Sequence, residues 1–212
     1  MSSSIKIAHV ATVPLSLRYL LVNQLKSIQA EGYSIIAISS PGNDVKFVEE
    51  AGIKHVSIPM TRKITPLLDL DALWQLYKFF KRTDITIVHT HNPKPGLLGQ
   101  LAAKLAGVPI IINTVHGFYF TNRSAPILRK LLIFLEKIAA RCSDLILSQN
   151  HEDIKTAIHE KICTKGKIAY LGNGIDVSRF DPEKIDPLKI SQKRLELGIL
   201  DDEIVIGFVG RL

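Results

Sequence analysis

Two spacings of apolar residues alternate along the chain. Short runs rich in Ile and Val, at residues 5–12, 34–39, 54–58, 86–90, 110–115, 145–148 and 167–171, have the length and β-branched content of strands. Between them lie stretches with helical periodicity. Over residues 15–31 the predicted helix gathers Leu17, Leu20, Leu21, Leu25 and Ile28 on one face. Over 95–106, Leu97, Leu98, Leu101, Ala102 and Leu105 do the same. Several strands are apolar throughout, which suits parallel strands covered by helices on both faces. Strand–helix alternation of this kind predicts an α/β fold with a doubly wound parallel sheet.

Punctuation sets the boundaries. Gly107–Val108–Pro109 stops a helix ahead of a strand, and Glu31–Gly32–Tyr33 does so after the first helix. From Gly172 the texture changes: Asn173–Gly174, Asp181–Pro182 and Asp186–Pro187 are turn pairs. The expected organisation is a Rossmann-like domain over 1–171, a linker over 172–190 and the start of a second domain over 191–212. A helix over 188–198 and a strand over 203–209 are predicted in that last part. A strand without neighbours builds no sheet, so the expectation is a chain that stops inside its second domain.

Composition narrows the class. Apolar residues make up 46% and charged residues 22%, ordinary for a soluble globular protein. No apolar run approaches the ~20 residues that cross a bilayer. The first residues lack the layout of a secretion signal, so a cytoplasmic protein is expected. Cys142 and Cys163 have no metal or redox spacing and read as reduced thiols. The net charge of +7 favours anionic partners without choosing among nucleic acid, anionic lipid and phosphorylated small molecules.

Candidate chemistry collects after the strands, where open α/β sheets bind ligands. The first strand is followed by Thr12–Val13–Pro14–Leu15–Ser16. The fourth leads into His89, Thr90, His91, Asn92, Pro93, Lys94, Pro95 and Gly96. The fifth leads into His116, Gly117, Phe118, Tyr119 and Phe120, and the sixth into Gln149, Asn150 and His151. His89 reads equally as a buried core imidazole. Lys94 opposes the dipole of the helix it begins, which makes more sense beside a bound anion. Gly117 permits positive φ or a close backbone approach. Phe118, Tyr119 and Phe120 are either core or a platform for a sugar or lipid. His89, His91 and His116 could chelate zinc, but no Cys or carboxylate joins them, so hydrogen bonding is the preferred reading and no metal is expected. GxGxxG after the first strand, GxxxxGK[ST] and GxSxG are all absent.

The helix over 123–142 is amphipathic. Leu128, Leu131, Leu132, Leu135, Ala139 and Cys142 form its predicted core face. Arg123, Lys130, Lys137 and Arg141 lie opposite, flanked by Ile127, Ile133 and Phe134. Apolar residues beside a basic stripe suit contact with an anionic membrane, and equally a solvated face.

Four motifs occur in order: VHTHNPKPGLLG over 88–99, TVHGF over 114–118, GNGID over 172–176 with Phe180, and GFVGRL over 207–212. Together they resemble the family-four glycosyltransferases of GT-B fold, notably those that build bacterial surface polysaccharides on a lipid carrier. The resemblance covers the whole chain. It implies two facing Rossmann-like domains, the first for acceptor and the second for a nucleotide-sugar. The implied reaction is sugar transfer with retention of configuration, with no cofactor beyond the nucleotide-sugar co-substrate, no metal and no nucleic-acid partner. By the same resemblance His116 lies near the transferred sugar and is catalytic, and Arg211 contacts the donor diphosphate. Asn173 and Gly174 join the donor side. Thr12, Pro14, His91, Asn92, Lys94, Gly96, Gly117 and Phe118 are the expected acceptor-side residues. The implied acceptor is a saccharide or a polyprenyl-diphosphate-linked one, handled at the inner face of the plasma membrane. One departure is the first loop: many members carry a Gly-Gly pair where Thr12–Ser16 stands here. A nucleotide-sugar 2-epimerase of GT-B fold and a non-catalytic saccharide- or phosphate-binding module are the alternatives.

Overall fold

A computed structural model describes residues 5–91, 93–121, 124–174, 177, 180–200 and 202–208. Seven parallel strands form one sheet in the order β3-β2-β1-β4-β5-β6-β7. They are β1 (Lys6–Val10), β2 (Ser34–Ser39), β3 (Lys54–Ser57), β4 (Ile87–His91), β5 (Ile110–Val115), β6 (Leu145–Ser148) and β7 (Ile168–Tyr170). Each lies within two residues of its predicted place. The helices are α1 (Pro14–Ser16), α2 (Val22–Ala30), α3 (Val45–Glu50), α4 (Pro66–Arg82), α5 (Pro93–Ala106), α6 (Pro126–Cys142), α7 (His151–His159) and α8 (Pro187–Glu196). The fold is a Rossmann-like doubly wound α/β sheet, as the two periods predict.

Alternation along the strands divides the core into layers. Ala8, Val10, Ile36, Ile38 and Val88 pack against Ala72, Leu76 and Phe80 of α4 and Ala102 and Ala103 of α5. Ile7, Ala11, Ile35 and Ala37 face the other way, onto Leu17, Leu21, Leu25 and Val48. Val115, Ile146 and Ile168 meet Ile133 and Ala140 of α6 and Ala157 of α7.

The helix faces depart from the periodicity in three places. A π-helical segment, Leu17–Leu21, separates α1 from α2. It widens the turn, so Leu17, Leu21 and Leu25 are buried while Leu20 is turned into solvent. In α5 the buried stripe is Gly96, Gly99, Gln100, Ala102 and Ala103, with Leu105 outside. Small residues let that helix approach the sheet closely: a Cβ on Gly99 would stand 2.8 Å from Thr90 Cγ2. In α6, Ile133 is buried, whereas Leu128 and Leu131 of the predicted core face are exposed. Arg129 on the same helix pairs with Glu160 at 2.5 Å. Arg123 lies outside the described residues.

The chain divides into two compact units, residues 1–172 and 173–212. In the second, α8 is capped by the Asp186 side chain, which accepts from Leu188 N–H at 2.9 Å. The predicted strand over 203–209 does not form across 203–208, where Ile204, Ile206 and Phe208 are exposed. Among the described residues it belongs to no sheet. No described helix is long and apolar enough to cross a membrane.

Candidate active site at the carboxyl edge of the sheet

Strand order reverses between β1 and β4, so a crevice opens beyond their carboxyl ends. The register sets His9 opposite His89, and His91 opposite Thr114 on β5. Alternation places all four side chains on one face. Neighbouring strands run about 4.8 Å apart, a gap that an imidazole can bridge. His9 Nδ1 lies 3.1 Å from His91 Nε2, and His91 Nδ1 lies 3.3 Å from His116 Nε2. His116 Nδ1 in turn lies 2.8 Å from Gln149 Oε1. Thus β1, β4, the turn after β5 and the turn after β6, adjacent in the sheet, contribute one link each. His89 stands beside this line, its Nε2 2.7 Å from Thr114 Oγ1.

Burial dominates the electrostatics. It holds His9 and His91 well below the ordinary imidazole value, and the neighbouring imidazoles push the same way. Burial, then His116, lowers His89 to about 4. His116 is half-buried and is lowered too, with its bond to Gln149 acting against the shift. Near pH 7 the rings are therefore neutral, each with one donor and one acceptor nitrogen. Among the described residues His9, His89 and His91 also bring ligand atoms within 4.8 Å of one another, a donor set that suits a divalent transition metal. His91 already spends both its nitrogens on His9 and His116, so a metal held there would break the line.

The other expected residues fall into three groups. Thr12, Pro14, Gly96 and Gly117 lie at the edge. Thr12 is buried, and its carbonyl accepts from Ser40 Oγ at 2.7 Å. Pro14 is buried in the first turn of α1. Gly117 takes φ +116°, a conformation only glycine adopts freely, and this swings the chain away just after His116. Gly96 lines a small cavity with Asn113, Thr114, His116, Gly117 and Glu136.

Two expectations are corrected. Lys94 has no need of a bound anion: its ammonium donates to Thr61 Oγ1 at 2.9 Å, to the Lys63 carbonyl and to Asp69 Oδ1 at 2.5 Å. Burial raises the Asp69 carboxyl, but the bonds from Lys94 and Thr65 outweigh it and leave its pKa below the usual value. Phe118 does not form an open platform. It stacks on buried Phe120 at 5.0 Å and packs into the α6–α7 core, leaving Tyr119 in solvent. Asn173 and Gly174 are exposed at the start of the second unit, and Asn92 and Arg211 lie outside the described residues.

His9, Glu136 and the part played by Gln149 emerge only in the fold. His9 sits inside a strand, and only the β1–β4 pairing reveals its neighbours. Burial pushes the Glu136 carboxyl up to about 7.

The model of the glycosyl transferase 4-like family matches residues 6–150. A UDP-Gal:α-D-GlcNAc-diphosphoundecaprenol α-1,3-galactosyltransferase of Escherichia coli is 32% identical over 99% of this chain and 54% of its own length. The capsular polysaccharide biosynthesis glycosyltransferase CapM of Staphylococcus aureus is 32% identical over 98% of this chain and 53% of its own. The chain thus spans about half the length of the curated relatives it matches. A glycosyltransferase from Rickettsia africae has the same fold, with TM-score 0.70 at 19% identity over 94% of this chain and 51% of that one. The chain belongs to the glycosyl transferase 4-like family.

Proposed function

We propose that this chain is the acceptor-binding part of a glycosyltransferase that moves a sugar from a nucleotide-sugar to a lipid-linked saccharide with retention of configuration. The observation that carries the reading is the line of imidazoles ending at His116 beside the β1–β4 crevice, in a chain of this family. Residues 1–171 supply the acceptor side, through Thr12, Pro14, Asn92, Gly96 and Gly117; His91, expected among them, is instead buried behind His116 with both ring nitrogens bonded. The segment from 172 to 190 leads to the donor side, where Asn173, Gly174 and Arg211 meet the nucleotide-sugar. An Arg suits that place, because a fixed positive charge stabilises a leaving diphosphate. An epimerase is less favoured, because it would call for acidic groups at the strand ends, where His91, His116 and Gln149 stand.

The lipid-linked acceptor of the Escherichia coli relative also gives sense to the outer surface. Both α4 and α6 pack on α5. In a parallel sheet each such helix begins at the edge that carries the site. Exposed apolar residues stand there: Ile64, Leu67, Leu68 and Leu70 at the start of α4, and Ile127, Leu128 and Leu131 at the start of α6. Arg62, Lys63 and Lys130 are exposed among them. Such a surface supports peripheral docking on the anionic inner face of the plasma membrane, with the site held at headgroup level.

The test is transfer by the longer protein from a UDP-sugar to a GlcNAc-diphosphoprenol acceptor. His116→Ala should lower kcat at least about 100-fold, the scale of a lost positioning contact, with the unfolding transition unchanged. Near-normal turnover would remove His116 from the site. Release of free epimerised nucleotide-sugar, without transfer, would favour the epimerase.

A further inference from the structure

The line His9–His91–His116–Gln149 has a direction, and its buried end sets it. Each neutral imidazole donates from one nitrogen and accepts at the other, so fixing one ring fixes all. Only two arrangements are self-consistent. In the first, Gln149 Oε1 accepts from His116 Nδ1–H, His116 Nε2 accepts from His91 Nδ1–H, and His91 Nε2 accepts from His9 Nδ1–H. His9 Nε2 is then left as a bare lone pair. In the second, the Gln149 amide is turned over, every proton moves to the other nitrogen, and His9 Nε2 carries an N–H. That atom is buried and has no partner among the described residues. A buried N–H without an acceptor is among the rarest features of folded proteins, and an unfilled acceptor is tolerated more often. The first arrangement therefore prevails.

We propose that Gln149, His91 and His9 are positioning residues that hold His116 as the neutral Nδ1–H tautomer, so that it serves the transfer reaction as a fixed neutral group and not as a general acid or base. The proposal rests on the reading that His116 lies beside the transferred sugar. The chemistry follows from the occupied nitrogens. To act as a base, His116 must take a proton at Nε2, where the Nδ1–H of His91 already points from 3.3 Å. Relief would require moving protons along the line to His9 Nε2, creating charge where His9 is 1% exposed. To act as an acid it would give up the Nδ1 proton bound to Gln149 at 2.8 Å, leaving an anionic ring. The groups facing the line are the His89 imidazole alongside, lowered to about 4, the Thr114 hydroxyl bonded to it, and Glu136 of α6, which shares the small cavity with His116 and is pushed by burial up to about 7. Glu136 ionises in that range, but both His116 nitrogens are bonded elsewhere, Nε2 to His91 and Nδ1 to Gln149. The ring can still present its edge to the crevice, with Gly117 turning the backbone away behind it.

Histidine-selective 15N NMR of this chain reads the tautomer directly, without substrate. The expected result is a single Nδ1–H form at His116, unchanged between pH 8 and pH 6. Gln149→Ala and His91→Leu should each give a mixture of tautomers, and His91→Asn, which keeps a donor near the Nδ1 position, should restore the single form. Gln149→Glu should raise the His116 midpoint by about one to three units, as a carboxylate in contact does. Gln149 is half-buried at the edge, so its variants test the idea even if the buried His91 substitutions unfold the chain. An Nε2–H form at His116, or a tautomer mixture that Gln149→Ala leaves unchanged, would overturn the proposal. So would one equivalent of zinc bound through His9, which would redirect the lone pairs. If the tautomer is as described but His116→Ala leaves transfer intact, the line stands and the functional reading fails.

Discussion

His9, His89 and His91 make the folded chain sensitive to acid. All three are lowered by burial, so the unfolded chain binds protons below about pH 6.5 that the folded chain refuses. A group whose folded value is depressed gives stability above its unfolded value and loses it as pH falls. Each such imidazole costs about 1.4 kcal/mol per pH unit in that window, which for His89 closes near 4. Glu136 runs the other way. Its folded value of about 7 exceeds the ordinary 4.5, so its contribution is lost as pH rises through that interval. Three imidazoles outweigh one carboxyl, and stability should fall steeply from pH 6.5 to 5. Urea midpoints across that range check it, and a flat profile would contradict neutral burial of the rings. Glu136→Gln should raise the unfolding free energy at pH 8 by about 1–3 kcal/mol, seen as a higher urea midpoint, and change little at pH 5.

At the scale of elements, α5 shows two effects in competition. Gly to Ala inside a helix ordinarily gains about 1 kcal/mol. At Gly99 the new methyl would meet Thr90 Cγ2 at 2.8 Å. Thr90 cannot turn aside cheaply, because its Oγ1 donates to Asn113 Oδ1 at 2.8 Å. Overpacking of this kind costs about 1–3 kcal/mol, so the net effect of Gly99→Ala should be destabilising, measured as a lower denaturant midpoint with unchanged slope. The same helix shows where sequence ran out. Strands were legible because their apolar runs are short, continuous and separated by Gly and Pro. Helix faces were less so, because the stripe that meets the sheet in α5 is made of glycine and alanine, which carry little hydrophobic signal. The π-helical segment hid the outward turn of Leu20 for a related reason: periodicity assumes a regular helix. His91 and His116 were legible from their place after strands. His9 was not, since its role depends on β1 lying beside β4, and Lys94 was misread because Asp69 comes from a different helix.

At the scale of the whole molecule, the membrane reading turns on which helix carries the contact. From sequence the basic arc of α6 was the natural choice. In the fold, Lys130 and Arg141 of that arc are exposed, Lys137 is half-buried and Arg123 lies outside the described residues. The start of α4 presents more: Leu67 is 86% exposed and Leu70 64%, on a segment held in place by the Lys94–Asp69 bond beneath it. A groove of about 690 Å³, lined by Leu67, Leu70, Asp71, Leu73, Trp74, Tyr77 and Leu105, continues this surface, with the Lys78 ammonium over the Trp74 ring. Burying one leucine gains about 2 kcal/mol and each basic residue near an anionic surface about 1 kcal/mol, so the apolar residues should dominate. Flotation with phosphatidylglycerol-containing vesicles separates the two helices. Leu67→Glu combined with Leu70→Glu should abolish binding, whereas reversing Lys130 and Lys137 should only weaken it and make it more salt-sensitive. If the α4 variant floats as the unaltered chain does, α4 is not the contact. If it fails to float only because the unaltered chain self-associates through this surface, light scattering will show a dimer that the substitutions dissolve, and the surface then belongs to a second copy.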